Sequence, residues 1–384
     1  MEKIEKLPPK TVERLSKKKS GFLSSVVFIY IALQSVCFSL AAQNLAAYQD
    51  NQGYFFIFDK GKTIQAEYLP VKKFSVGGQC LLYVDSQNHL KMYYRGKITT
   101  LEVNQVTRFE AMDYLSVYSI GNIVKIIENG QVTTISTYAV QYLAEDSLVA
   151  FYDRGQQLLA VYYKGRIQML EDGLTGRTNV LFKAADNIVA YVSLRTGDLK
   201  AFTNGAIQEI LPFVQGGSFK TGRDIVAYVA PSEQNFRVFY KGADYVLEDF
   251  PPASYQAGDE VVAYVDNTGS FKVFTDGETT QITSFPPDFY QVRNKLIIYG
   301  EQGYFKVWYD NNPYLLETFI PNDWKAEWNT VVYKDLNKNI KIFSRGDSKI
   351  LTYDLAEKIE LYRDLVVVNK GMNNWNVYFQ GKKY

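Results

Sequence analysis

Apolar and polar positions along this chain come in short runs that return at a fixed spacing. Val261-Val262-Ala263-Tyr264-Val265 is apolar on both faces. A polar turn, Asp266-Asn267-Thr268-Gly269, follows, and then Phe271-Lys272-Val273-Phe274 alternates. β-Branched and aromatic runs of this length, bounded by Asp, Asn and Gly, predict antiparallel strands joined by tight turns. A Gly turn leads to a further strand that ends in Leu-Glu or similar, as at Leu247-Glu248 and Leu316-Glu317. A proline often comes next (Pro212, Pro251, Pro286, Pro321), which fits the exit from a strand. A fourth short strand is expected in the stretch after it, as at Phe289-Tyr290-Gln291-Val292. No long helical periodicity competes.

The unit repeats. One aromatic column falls at Tyr48, Tyr83, Tyr118, Phe151, Tyr191, Tyr228, Tyr264, Tyr299 and Tyr333, with Val368 last. A second column of turn glycines runs from Gly61 to Gly381, with Asn311 substituting once. Both columns give ten copies, at a mean period near 35.6 residues. Ten units of three or four antiparallel strands predict an all-β fold, a β-propeller built from about ten repeats of ~35 residues. A ring of fewer blades, two smaller rings, or an open superhelix stays open at this point.

The blades resemble those of TolB-type propellers. The matching pieces are the stretch from Pro286, Leu296-Ile297-Ile298-Tyr299, Phe305-Lys306-Val307-Trp308 and Leu315-Leu316. The resemblance implies architecture over nearly all of 45–384 and assigns no functional residue.

The N-terminus differs. Lys17-Lys18-Lys19 precedes an uncharged run, Gly21 to Ala42, that closes in Leu40-Ala41-Ala42. A basic start, an apolar centre and a small-residue exit predict a secretory signal with cleavage after Ala41 or Ala42. The run is also long enough to serve as a membrane anchor. Residues 1–42 are therefore expected to be a signal peptide or anchor, and 43–384 the propeller. The chain is then exported: periplasmic, outer-surface or secreted, with inner-membrane anchoring as the alternative. After cleavage one cysteine, Cys80, would remain, so no internal disulfide is possible. It opens an apolar strand and reads as a buried small hydrophobe.

Composition narrows the chemistry. Of 384 residues, 42 are basic and 41 acidic; beyond residue 42 the counts are 35 and 38. A duplex binder needs a basic surplus, so nucleic acid is not an expected partner. One His and two Cys leave little for metal or redox chemistry, and no cofactor, metal site or catalytic residue is assigned. No phosphate-binding, zincin or nucleophile-elbow motif stands in a usable context. His89 falls at a hairpin tip and reads as a solvated turn residue. The recurring turn aspartates Asp50, Asp85, Asp153, Asp266 and Asp335 read as turn formers, although paired carboxylates can also cleave glycans. Lys91, Lys125, Lys200, Arg237, Lys272, Lys306 and Lys341 recur in the strand after that turn. They read as packed stems with heads in water, a ring of cations for an anionic glycan being the other reading.

Trp324 and Trp328 are the candidate binding residues. They fall between repeat strands in Pro321-Asn322-Asp323-Trp324-Lys325-Ala326-Glu327-Trp328 and read as a break in the pattern. On an extended segment their even separation would set both indoles on one face. The whole reads as an exported, non-catalytic propeller that contacts a protein or glycan partner at the cell envelope. It would touch the membrane only through an uncleaved N-terminal run. The alternative is a carboxylate-based glycan-active hydrolase or lyase. Inward carboxylates with displaced pKa values would favour that enzyme; a channel mouth lined by the repeat's own turns would favour the module.

Overall fold

The computed structural model describes residues 45–212 and 218–384. The proposed signal or anchor, 1–42, lies outside the described residues. Ten antiparallel sheets follow one another along the chain. Nine have four strands in sequence order, and the first, Leu45–Glu67, has three among the described residues. In most neighbouring pairs of four-stranded blades the first strands lie against each other, so these are the innermost strands of the ring.

The ring closes on itself. Ala46 and Phe58 of blade 1 share a core with Leu365, Val367, Val377 and Phe379 of blade 10. Tyr48 stacks on Trp375 at 4.7 Å, and the Tyr362 hydroxyl donates to the Ala47 carbonyl at 2.9 Å. The open superhelix and the pair of smaller rings are thereby set aside. Ten clusters of buried apolar side chains alternate with the blades, each formed by two neighbouring sheets. The aromatic column is the centre of this packing: seven of its eight tyrosines, Tyr48 excepted, are at most 1% exposed.

Local chemistry explains the regularity. The turn between third and fourth strands has two positive-φ residues, such as Lys241 (50°) and Gly242 (88°). This is the type I′ geometry that matches strand twist and favours Gly at its second position. At Asp310–Asn311 asparagine takes the second place at 58°, which its short polar side chain tolerates. The outer strand of each of the first nine blades has a bulge near its end, as between Phe271 and Lys272 opposite Glu278–Thr283. Bulges twist exposed edges away from pairing with other chains.

Candidate functional site

The expected fourth strand exists and carries a third column that the sequence reading missed. Phe74, Phe109, Tyr142, Phe182, Phe219, Tyr255, Tyr290 and Trp324 lie directly opposite the Tyr83-to-Tyr333 column, nine residues before it. Trp324 therefore continues the repeat and does not break it. Its indole lies 6.0 Å from Phe289 and 5.6 Å from Phe305 of the preceding blade. The strand Trp324–Glu327 ends before Trp328, which takes φ +52° in the turn beyond. The expected shared face of one extended segment is therefore corrected: the left-handed turn separates the two indoles. Trp328 lies under the Arg363 guanidinium, 3.7 Å from the ring centre. Trp324, Lys325, Glu327, Gln291, Arg293 and Glu360 line a shallow recess of about 390 Å³.

The residues four beyond the inner aromatic column sit in the first hairpin turn of each blade. They are Asp113, Asp146, Asp186, Arg223, Asp259, Asn294, Trp328 and Arg363 in blades 3–10. These turns are tied one to the next. The Asp113 amide donates to Asp146 Oδ1 at 3.0 Å, and Asn294 Nδ2 donates to Asp259 Oδ2 at 3.0 Å. Arg223 pairs with Asp186 and lies 3.7 Å from Asp259. Arg363 pairs with Asp113, and its amide donates to Glu327 at 3.0 Å.

Glu145 is adjacent to this set. Burial first, then the charges of Asp146, Glu110, Asp186 and Asp259, push its carboxyl up to about 8. Burial, with Asp259 and against Arg223, lifts Asp146 to about 6. Burial also raises Asp186 and Glu327. At about 8, the Glu145 carboxyl can hold a proton near neutral pH and donate a hydrogen bond. Among the described residues, no three His, Cys, Asp or Glu side chains converge as a metal site. The cluster was not legible beforehand, because its members change type from blade to blade.

The other candidates serve the fold. Lys272 Nζ lies 2.7 Å from Glu248 of the preceding blade and 2.9 Å from Asp266 of its own turn, while the Tyr264 hydroxyl donates to the same Glu248 oxygen at 2.8 Å. Lys91 and Tyr83 hold Glu67 in the same way, and Lys125 and Tyr118 hold Glu102. Arg237, Lys306 and Lys341 are likewise paired with carboxylates. Six of the seven cations are thus inter-strand or inter-blade clasps, and their heads meet carboxylates where water was expected.

The turn aspartates accept backbone amides. Asp266 Oδ1 takes those of Thr268 and Ser270 at 2.8 and 2.9 Å. Burial raises its carboxyl, but Lys272, the Thr268 hydroxyl and these amides outweigh that and hold it at about 2. His89 Nδ1 lies 3.4 Å from Asp85 at its hairpin. Cys80 is buried beside the Ser116 hydroxyl, and burial pushes its thiol up to about 11.

The two ends of the ring differ. Strand alternation sets the first and third turns of each blade at one end. The second turns and the blade-to-blade linkers lie at the other. Of the large apolar side chains more than half exposed, eight lie at the linker end: Tyr68, Leu69, Val103, Phe250, Leu336, Tyr353, Leu355 and Met372. Tyr114 alone among the described residues occupies the hairpin end at that exposure; the rest are on outer strands. All but Phe250 of the eight fall on one arc, from blade 9 across the seam to the linker after blade 2.

Solved structures with similar chains include the computationally designed Ika8 protein, at 16% identity and TM-score 0.34, covering 71% of this chain and 96% of that one. The CRINKLY WD40 ectodomain of the Arabidopsis thaliana receptor kinase ACR4 is similar at 12% identity and TM-score 0.36, covering 64% and 97%. PorZ, a surface component of the type-IX secretion system of Porphyromonas gingivalis, is similar at 9% identity and TM-score 0.31, covering 88% and 58%. A search of curated proteins finds no match. A family model described as a 10-bladed beta propeller domain matches residues 39–384, and with ten sheets closed in one ring the chain belongs to that family.

Proposed function

We propose that the chain is an exported, non-catalytic interaction module that docks a protein partner at the cell envelope through its linker end. The observation that carries this reading is the arc of exposed apolar side chains at that end. Exposed apolar side chains gathered on one arc of one end favour contact with another surface. Export rests on the basic, apolar N-terminal sequence and on nothing in the ring. Glycan contact through Trp324 and Trp328 is the secondary part of the proposal, supported by the recess beside Trp324.

The test replaces Tyr68, Leu336, Tyr353 and Met372 together by Ser. These side chains are between 74% and 101% exposed, so Tm should hold. Capture of a partner from envelope extract should be lost. Undiminished capture by a folded variant sinks the reading. Carboxylate chemistry is the second reading, favoured by Glu145 at about 8 beside Asp146 at about 6. It requires glycan cleavage that Glu145→Gln abolishes.

A further inference from the structure

The groove between the outer parts of blades 9 and 10 holds a recess of about 520 Å³. One wall is the outer strand of blade 9, Asp347–Thr352; the other carries Tyr378 and Lys383, paired across blade 10. Tyr353, one of the exposed side chains of the linker-end arc, lines it as well. Its charge is lopsided. Lys349 and Lys383 line the recess, and Lys370 beside it pairs with Asp354 and meets the Lys383 ammonium. Asp354 is the one carboxylate among the described lining residues, and Lys370 and the Thr352 hydroxyl already hold it. Two ammonium groups thus stand side by side, and Lys370 holds that of Lys383 below its ordinary range.

Tyr378 is the second observation. It is 6% exposed, and its hydroxyl has no hydrogen-bond partner. Buried hydroxyls are nearly always bonded. Tyr93 and Tyr162 hold the same register position in blades 2 and 4, opposite the residue two before the aromatic column. Their hydroxyls donate to Asp59 and Glu128, each the last residue of the matching strand one blade back, both at 2.8 Å. In blade 9 that last residue is Ser344. The repeat therefore gives this hydroxyl a carboxylate in blades 2 and 4 and gives it none in blade 10.

We propose that this recess takes an acidic segment of the protein partner, with a carboxylate at Lys383 and the Tyr378 hydroxyl and an apolar neighbour against Tyr353 and Ile350. Tyr353 and Ile350 are 75% and 39% exposed, so both have apolar surface to cover. The incoming anion supplies the acceptor that the hydroxyl lacks and offsets the repulsion within the lysine pair. Complementary charge of this kind selects a partner and sets its register. The inference rests on the linker-end docking reading and names the chemistry of the partner there.

Fluorescence anisotropy with a short labelled peptide of alternating Leu and Glu tests it, against the same peptide with Gln for Glu. The Glu peptide should bind at least about tenfold more tightly. Lys349→Glu with Lys383→Glu should weaken it at least about tenfold at unchanged Tm, since both side chains are exposed. Tyr378→Phe should hold or raise Tm, because the free protein sheds an unmade hydrogen bond, and should weaken the Glu peptide about tenfold. Equal binding of the two peptides, or none, overturns the inference. So does a charge reversal without effect. Inorganic phosphate that competes as well as the peptide also overturns it, because a free anion would then suffice. The docking reading fails separately, when the variant with four serines captures a partner undiminished. Capture lost in that variant, with no preference for the Glu peptide, sinks this inference alone.

Discussion

Tyr264 shows what one position in the repeat does. Its ring is fully buried against Phe236 at 5.1 Å, and its hydroxyl reaches across to Glu248 of the preceding blade. Tyr264→Ala should cost about 3–5 kcal/mol, by lost burial and an unfilled cavity. Urea unfolding checks it, and a loss under about 1 kcal/mol would contradict the packing. The column was legible because an aromatic recurring at a fixed period has a structural cause. Trp324 was misread for the same reason in reverse. The inner strands tolerate Phe, Tyr or Trp, and only the cross-strand partner Tyr333 shows that Trp324 belongs to their column. The partner of each lysine was likewise hidden, since Lys272 and Glu248 are 24 residues apart and meet only between blades.

At the scale of the element, blades are set apart by side chains except where their inner ends converge. Gly222 sits at such a convergence, and the adjoining backbone of Gly258 leaves no room for a methyl. Gly222→Ala should therefore destabilise by about 1–3 kcal/mol, the range of overpacked sites. The denaturation midpoint of the variant decides this; an unchanged value would mean that the inner turns slide freely. The hairpins could be assigned from Gly and Asx residues, because positive φ restricts which residues fit. The short inner strands could not be assigned with the same security. Four residues such as Lys325 and its neighbours hold no period of their own and depend on the neighbouring blade, here through Glu360 at 2.6 Å.

At the scale of the molecule, ring closure crowds carboxylates at the hairpin end. Glu145 has a folded value near 8, above its ordinary range, so folding favours its protonated form. The stability this contributes is complete below the ordinary carboxylate range and is lost as pH rises toward 8. Urea midpoints should fall between pH 5 and pH 8.5, and Glu145→Gln should make that fall smaller; an identical fall in the variant would show that Glu145 is not its source. The sequence by itself determined the strand class, the repeat, the turn residues and the core column, because these follow from backbone sterics and burial within one unit. Only the tertiary structure decided the single closed ring, the inter-blade clasps, the charged mouth and the apolar linker end. Each of these joins residues from different blades, and their meeting depends on how many blades close the circle.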